Sequence, residues 1–379
     1  MIPLSLYVHI PWCEKKCPYC DFNSHLARTE VDQSHYIDTL LNDFSQDVAT
    51  FKEDIADRNI ESIFIGGGTP SLFDAASYDY LLSELKKIIP FNDDIEITLE
   101  ANPGSSEVEK FSGFRKAGIN RLSIGIQSFN AQHLFALGRI HNSKDAINAA
   151  EFARQAGFDN FNLDIMFGLP EQSIEQSVDD VRQAIELKPT HLSCYQLTIE
   201  PNTLFHHRPP ITPDDDTLWD MQSLLQQTLL EHGYIQYEVS AYAKQGKQCR
   251  HNINYWQYGD YLGIGAGAHG KITKTNGDIS RYWKIKHPNT YIDNDKKVGE
   301  LKTISKEERV FEFMMNCLRL NKGFSLELFE QATNLKFNII SSQIEQHINR
   351  GLLISDNGQI KTTSRGKQML NNILEEHLP

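Results

Sequence analysis

Three cysteines, Cys13, Cys17 and Cys20, are crowded into eight residues near the start of the chain. Cysteine thiolates are the usual protein ligands of iron-sulfur clusters, and this spacing puts three of them on one tight loop, within reach of a single [4Fe-4S] cluster. Three ligands for four irons leave one iron without a protein bond. A chelate formed by an amino nitrogen and a carboxylate can take that position, and S-adenosylmethionine (SAM) carries both groups.

The cysteine loop is also compatible with two alternatives. One is a zinc site completed by His9 or His25, since zinc accepts cysteine and histidine ligands, and the second is that the cysteines bind nothing. The remaining cysteines, Cys194, Cys249 and Cys317, are scattered along the chain. A disulfide framework is not expected, because three cysteines crowded into one motif are typical of a metal site.

Glycine and polar residues follow several β-branched runs. Gly66, Gly67 and Gly68 end one run and precede Thr69, and their missing Cβ atoms let backbone carbonyls approach a ligand ammonium closely. The polar residues that end other runs are Glu100, Gln127 and Asp164. Since ligands bind at the carboxyl ends of parallel strands, we expect all of them at one site. The alternatives are a plain turn for the glycines and, for the carboxylates, a helix cap or a pair with Arg139.

The elements that must position these residues follow from an alternation of β-branched runs with amphipathic stretches. The runs are LSLYVHI, ESIFIGGG, DIEITLEA, RLSIGIQ, NFNLDIMFG and HLSCYQL. The helical stretches are VDQSHYIDTLLNDFSQDVATF, SYDYLLSELKKII, KFSGFRKAG, KDAINAAEFARQAG, SIEQSVDDVRQAIEL and TLWDMQSLLQQTLLEHG. Six βα units predict a parallel sheet that right-handed crossovers curl towards a barrel. Because eight units close the usual form, we predict an α/β fold with an incomplete (βα)6 TIM-like barrel over residues 1–241.

The rest of the chain divides into two segments. Residues 242–299 are rich in Gly, Tyr, Trp, Asn and His without a clear period, so we expect a loop-rich segment that covers the barrel. Residues 300–379 contain three helical runs and then LLISDNGQIKTT, which is typical of a hairpin with its turn at residues 356–358. This pattern predicts a small C-terminal helical, winged-helix-like domain. Its near-neutral charge balance lacks the basic face that DNA reading requires.

Composition bounds the partners and the compartment. The chain has 379 residues, 40% of them hydrophobic and 23% charged, which is enough for a full core. Its formal charge of −13 argues against a phosphate backbone as partner, so no nucleic acid is expected. Nothing approaches 18 consecutive apolar residues, and the N-terminus lacks a secretory signal. We therefore expect no transmembrane segment, a cytoplasmic location, and small molecules or proteins as partners.

Taken together, these motifs resemble the radical SAM superfamily, whose signature is CxxxCxxC followed by a glycine-rich strand end. The segments YVHIPWCEKKCPYCDFN, GGGTPS, IGIQSFN, LGRIHN and DIMFGLP are similar to one branch of it. That branch contains oxygen-independent coproporphyrinogen dehydrogenase and the HemW-type heme chaperones. The match runs from Tyr7 to Pro170 and implies a [4Fe-4S] cluster on the three cysteines with SAM as second cofactor.

The resemblance also implies which residues contact SAM. Glu100, Gly67 and Tyr7 would hold the cluster-bound molecule. Further residues match positions that the dehydrogenase uses for SAM contacts, including those to a second SAM molecule: Tyr19, Gly68, Thr69, Gln127, Arg139 and Asp164. No residue is assigned a catalytic role.

Two departures from the dehydrogenase match the HemW-type chaperones. The dehydrogenase has a fourth cysteine two positions after the third, where this chain has Phe22, and a long arm ahead of the first strand that we expect to be missing here. We therefore expect a heme chaperone that delivers heme to haemoproteins of respiration, at the membrane or away from it. The alternative is the oxygen-independent coproporphyrinogen III dehydrogenase of heme biosynthesis, so whether the chain is an enzyme stays open. Its charge disfavours a radical SAM enzyme that modifies RNA.

One more motif bears on heme. The stretch HNINYW at residues 251–256 matches an HNxxYW pattern of HemW-like chains. An imidazole can ligate heme iron, and Tyr and Trp rings can cover a porphyrin face, so His251 is the predicted heme contact. The alternative is an ordinary hydrogen-bonding histidine. Cys249, His206 and His207 are weaker candidates for the same role.

Overall fold

The computed structural model describes residues 2–27, 31–104 and 109–378. Its strands are β1 (Leu4–Ile10), β2 (Trp12–Cys13), β3 (His25–Leu26), β4 (Ile60–Gly67), β5 (Phe91–Ala101), β6 (Arg121–Gln127), β7 (Phe161–Phe167), β8 (His191–Gln196), β9 (Ile235–Gln236), β10 (Ala241–Ala243), β11 (Asp260–Ile264), β12 (His269–Thr273), β13 (Ile279–Lys284), β14 (Val298–Thr303), β15 (Phe324–Ser325), β16 (Leu353–Asp356) and β17 (Gln359–Thr362). Its α-helices are α1 (Gln33–Thr50), α2 (Ala75–Ile88), α3 (Phe111–Lys116), α4 (Ala131–Ala136), α5 (Ser143–Gln155), α6 (Ile174–Glu186), α7 (Leu204–His207), α8 (Asp215–Glu231), α9 (Arg250–Trp256), α10 (Pro288–Asp293), α11 (Lys306–Cys317), α12 (Leu326–Thr333), α13 (Ser341–Asn349), α14 (Ser364–Gln368) and α15 (Leu370–Glu375).

The six predicted strands are present as β1, β4, β5, β6, β7 and β8, and neighbours among them pair in parallel. Their apolar side chains are mostly buried, as expected for strands covered on both faces. The sheet ends at β14 on one side and at β9 on the other. The prediction of an incomplete α/β barrel is therefore confirmed.

The six predicted helices are present as α1, α2, α3, α5, α6 and α8. Helix α6 shows why such stretches form helices. Ser173 and Gln176 make a capping box at its start, which satisfies amides that a helix otherwise leaves free. Val178, Val181 and Ala184 recur every three residues and are buried, so one stripe of the helix packs on the core. The short helices α4 and α7 were not predicted.

The expectation that residues 242–299 are loop-rich was wrong. Strand β11 pairs in parallel with β1, and β12, β13 and β14 continue the sheet in antiparallel order. Charged residues hid these strands from a reading of hydrophobic alternation, because Lys271 and Lys284 are fully buried in β12 and β13. Each is paired with buried carboxylates, Lys271 with Asp260 at 2.9 Å and Lys284 with Asp43 at 2.5 Å. The segment therefore extends the sheet, and its limits as a domain stay a prediction.

The C-terminal part has the predicted order of three helices, α11, α12 and α13, followed by the hairpin of β16 and β17. Asn357 and Gly358 both have positive φ, 49° and 76°, which is the backbone of a tight hairpin turn. Strand β15 joins the hairpin to make a small three-stranded sheet. The apolar side chains of the C-terminal helices and of this small sheet form a hydrophobic core separate from that of the large sheet. A C-terminal domain is therefore present.

None of the helices in the described ranges combines the length and the apolar character needed to cross a lipid bilayer.

Candidate cofactor site at the carboxyl edge of the sheet

The cysteine loop is held at both ends by short backbone contacts. Strands β2 and β3 pair on either side of it, and the amide of Ala27 donates to the carbonyl of Cys13 at 2.9 Å. Inside the loop, the amide of Cys20 donates to the carbonyl of Cys17 at 3.2 Å and closes a tight turn. Cys13 is buried, and Cys17 and Cys20 are half-buried. One short, anchored segment therefore presents all three thiols.

A cavity of about 460 Å³ lies between this loop and the carboxyl ends of the parallel strands. Its wall contains the three cysteines. It also contains most of the predicted SAM contacts, namely Tyr19, Gly67, Gly68, Thr69, Glu100, Gln127, Arg139 and Asp164. Most of these residues come together because they lie at or next to the ends of parallel strands, whose carboxyl ends share one edge. Asp164 differs from the prediction, because it lies in the middle of β7 rather than at its end. The cavity has the size of a small-molecule site.

The sulfur ligands fit a cluster better than a zinc ion. Zinc needs four ligands within about 2.0–2.3 Å of one point, whereas the cysteines of a cluster bind separate irons. In the described ranges, no three His, Cys, Asp or Glu side chains stand ready to hold one metal ion. Both ring nitrogens of His9 already have partners. Burial raises the pKa of the Cys13 and Cys20 thiols, which bound iron would counteract, because iron binds the thiolate form.

The glycines at the end of β4 are required by the packing of the protein itself. A Cβ on Gly68 would lie 2.4 Å from the carbonyl oxygen of Trp12, and one on Gly67 would lie 2.5 Å from the ring of His9. Gly67 also has a φ of +116°, which side-chain-bearing residues rarely adopt. The amide of Thr69 donates to the carbonyl of Trp12 at 2.7 Å. This turn therefore fixes one wall of the cavity against the segment that carries Cys13.

The carboxyl groups of Glu100 and Asp164 belong to the cavity wall. Glu100 lies at the end of β5 and accepts a hydrogen bond from the amide of Gly67 at 3.0 Å. Burial and the nearby charge of Asp164 raise the pKa of Glu100 to about 8. Burial also raises the pKa of Asp164, although Ser123 donates to it at 3.1 Å and Asn162 at 2.8 Å. A cationic ligand would stabilise both groups as carboxylates.

Gln127 and Arg139 close the cavity near the end of β6. Gln127 has a φ of 69°, a left-handed backbone that costs roughly 1–3 kcal/mol outside glycine and is common at ligand sites. Its side-chain oxygen accepts from the hydroxyl of Tyr195 at 2.6 Å. The Arg139 guanidinium donates to Oδ1 of Asn102 at 2.8 Å and lies 3.8 Å from Sγ of Cys17. Arg139 therefore contacts the cysteine loop as well as the wall.

Some residues of the cavity wall were missed by the sequence analysis. They include Asn102, Ser123, Tyr195 and Thr198. Tyr195 lies near the end of β8, so the rule that selected Glu100 at the end of β5 would have found it as well. Asn102 follows β5 directly.

Tyr7 and His251 lie outside this wall. The hydroxyl of Tyr7 is 3.0 Å from Nδ1 of His9, and its ring stacks on Phe64 with centroids 6.4 Å apart. The ring of His251 lies 5.3 Å from that of Phe64. His251 is only 8% exposed, and its Nδ1 lies 3.2 Å from Oγ of Ser62. The structure does not bring His251 to the cysteine cavity, and its contact with heme stays a prediction.

The weaker heme candidates are in different surroundings. Cys249 is fully buried, and its thiol lies 3.5 Å from Glu96. His206 and His207 are exposed on α7, next to Phe205, whose amide donates to a carbonyl of the cysteine loop.

Comparisons with known proteins agree with this geometry. A family model described as the radical SAM superfamily matches residues 7–184, and one described as the HemN C-terminal domain matches residues 304–369. The chain is 52% identical to "Heme chaperone HemW" of Haemophilus influenzae and 48% identical to that of Escherichia coli, over 98% of this chain and 97% of each relative. Its fold is similar to the solved coproporphyrinogen III oxidase (HemN) of Escherichia coli, with a TM-score of 0.82 at 24% identity, covering 99% of this chain and 90% of that one.

Proposed function

This chain belongs to the HemW family of heme chaperones within the radical SAM superfamily, and on that premise we propose that it binds heme and delivers it to haemoproteins of respiration. The family implies a [4Fe-4S] cluster and SAM as cofactors. In this proposal the chaperone works in the cytoplasm, and its acceptors lie at the membrane or away from it. Nucleic acid has no part in it.

The observation that carries the cofactor part is the single cavity shared by the three cysteines and the strand-end residues. The three cysteines would hold the cluster, and Glu100, Gly67 and Thr69 in the wall of the same cavity would bind SAM. SAM is cationic at its sulfonium and carries polar groups at both ends, so it suits a wall with several carboxyl groups and hydrogen-bonding side chains.

The chain's own residues would bind and orient the cofactors. When bound, the cluster can supply the electron for reductive cleavage of SAM. Glu100 can accept hydrogen bonds from the ammonium or ribose of SAM, and Arg139 bridges the loop and the wall through Cys17 and Asn102. The apolar side chains of Met166 and Leu197 in the wall exclude water from one side of the site.

Heme binding is the part of the proposal that separates this protein from its alternative. Phe22 is 59% exposed and lines the cavity where the dehydrogenase carries a cysteine. We retain His251 as the heme ligand, with the consequence that α9 must move for the iron to reach it.

The test is an anaerobic titration of the cluster-reconstituted protein with heme, followed by transfer to an apo-haemoprotein. We expect stoichiometric heme uptake, transfer to the acceptor, and no protoporphyrinogen when reductant, SAM and coproporphyrinogen III are supplied. Turnover of coproporphyrinogen without heme transfer would instead assign the dehydrogenase activity.

Two cysteine variants, one inside the loop and one outside it, test the cofactor assignment. Cys17→Ser should abolish the absorption and magnetic signals of the reconstituted cluster. Cys194→Ala removes a buried thiol that lies outside the loop, so it should leave those signals unchanged. Equal cluster content in both variants would contradict the ligand set.

A further inference from the structure

His9 occupies a buried position between the cysteine loop and the wall of the cavity. It lies on β1 and is 5% exposed. Its Nε2 lies 2.9 Å from the carbonyl oxygen of Asn23, and its Nδ1 lies 3.0 Å from the hydroxyl of Tyr7. Because a carbonyl oxygen can only accept, Nε2 must carry the proton, and Nδ1 must accept from Tyr7. The two contacts therefore fix one tautomer of the ring.

The ring of His9 also supports the wall that holds Glu100. A Cβ on Gly67 would lie 2.5 Å from Cε1 and 2.6 Å from Nδ1 of His9, so the backbone of Gly67 lies directly against the ring. The amide of that residue donates to Oε2 of Glu100 at 3.0 Å. Displacement of the ring would therefore move the donor that orients the Glu100 carboxyl group.

On its opposite side, the ring of His9 contacts the cysteine loop through Asn23. Asn23 follows Cys20 by three residues, and its side-chain amide donates to the carbonyls of Ala266 at 2.8 Å and Lys286 at 2.9 Å. The loop is thus tied to the strands beyond β1 through Asn23. His9 is itself held by Tyr36, whose hydroxyl donates to its carbonyl at 2.8 Å. The backbone of His9 and the loop residue that its ring contacts are therefore both anchored.

We propose that His9 is a positioning residue that sets the cysteine loop in register with the SAM-binding wall, through Asn23 on one side and Tyr7 and Gly67 on the opposite side. It touches neither the cluster nor SAM. This inference rests on the proposed function, in which the cysteines hold the cluster and Gly67 and Glu100 belong to the wall that binds SAM. Burial lowers the pKa of His9, which agrees with a ring that stays neutral and acts only through its fixed tautomer.

The test compares variants of the full-length protein after anaerobic cluster reconstitution. His9→Ala removes both contacts, whereas His9→Gln keeps a donor for Asn23 and His9→Asn keeps an acceptor for Tyr7. The readouts are iron and sulfide content, the SAM-induced change in the magnetic spectrum of the reduced cluster, and the Kd for SAM. His25→Ala is the matched control, because His25 lies in the same segment and its ring contacts the side chain of Asn23 and the ring of His287.

We expect iron and sulfide to remain near the wild-type level in His9→Gln and His9→Asn, while SAM binding weakens about tenfold, the effect of losing one buried hydrogen bond. The double variant of His9→Gln with Tyr7→Phe should lose less than the sum of the two single changes, because both remove the contact between Tyr7 and His9. His25→Ala should bind SAM as the wild type does.

The outcomes separate the inference from its premise. Wild-type SAM affinity in all His9 variants that carry a full cluster would overturn the positioning role and leave the proposed cofactors standing. A wild-type protein that takes up iron and sulfide but shows no response to SAM would overturn the premise, and the inference with it. If His9→Ala fails to fold, the Gln and Asn variants decide the matter.

Discussion

The affinity for SAM should rise steeply with pH between 7 and 8, because the carboxyl group that faces the ligand is largely protonated in the free protein. Burial and the charge of Asp164 raise the pKa of Glu100 to about 8, and the amide of Gly67 offsets only part of this. With that pKa, about one molecule in eleven carries an ionised Glu100 at pH 7, and about half do at pH 8. SAM is a cation and favours the ionised group.

The size of the effect follows from these populations. If the ionised form of Glu100 binds SAM, the affinity increases about fivefold from pH 7 to pH 8 and becomes flat above about pH 9. Binding at pH 7 then releases close to one proton from this group. The stability of the SAM-free protein depends on pH in the opposite direction. Since its Glu100 titrates near 8 rather than at the ordinary 4.5, the free energy of unfolding decreases as the pH rises from about 4.5 to about 8.

Anaerobic titration calorimetry of the reconstituted protein, in buffers of different ionisation enthalpy, measures both quantities. The amino group of SAM titrates in the same range, so the control is Glu100→Gln, which keeps the size of the side chain without its ionisation. The ratio of wild-type to variant affinity at each pH isolates Glu100. A ratio that does not change between pH 6.5 and pH 9 would refute the reasoning.

Two further predictions concern stability. Lys284→Met leaves two buried carboxylates of α1 without their cation, which lies 2.5 Å from each in the wild type, so urea unfolding should show that the free energy of unfolding falls by about 3–5 kcal/mol. Lys302→Met removes an exposed ion pair and should lower it by less than about 1 kcal/mol. Similar losses in both variants would contradict the assignment. Burial lowers the pKa of His377 to about 4, so the C-terminal domain should lose up to about 3 kcal/mol as the pH falls from about 6.5 to 4. Thermal unfolding across that range should be flatter in His377→Gln than in the exposed control His206→Gln, and identical curves would exclude His377 as the source.

The residues that line the candidate cofactor cavity were largely accessible from the sequence for a physical reason. Parallel strands end at one edge, so a polar residue at the end of each apolar run is placed near its counterparts without knowledge of tertiary contacts. Glu100 and Gln127 were found in this way, and Tyr195 would have been. Asp164 was selected by the same rule, although β7 continues for three residues beyond it. The glycines were located correctly, but their reason lies in protein neighbours distant in sequence, such as the ring of His9 against Gly67.

Residues 242–299 could not be read in the same way, because their order depends on long-range pairs. Strand β11 pairs with β1, more than 250 residues away, and Lys284 in β13 is compensated by Asp43 and Asp47 of α1. A buried lysine breaks the alternation of apolar and polar residues that identifies a strand. The burial of Lys284 is compensated only by its ion pairs with Asp43 and Asp47, and no local sequence pattern indicates those pairs.

The placement of His251 leads to the last prediction, on how heme reaches this residue. Helix α9 is tied to the interior of the barrel by several contacts: Glu96 accepts from the amide of Arg250 at 2.9 Å, the ring of His251 lies 3.2 Å from Ser62, and Asn254 donates to Ser5 at 2.8 Å. Only 8% of His251 is exposed, so we expect heme iron to reach the ring only when these contacts open. Heme binding through His251 must therefore be accompanied by opening of α9.

Hydrogen-deuterium exchange with and without heme measures this opening. We expect heme to reduce the protection of the α9 amides, and His251→Ala to abolish both the loss of protection and the axial-ligand signature in the heme spectrum, with His206→Ala as the control. Full heme affinity with α9 still protected would place the iron ligand elsewhere. The exposed imidazoles of His206 and His207, which require no opening of α9, would then be the ligands to test, because a residue already at the surface can bind heme without breaking any contact of the barrel.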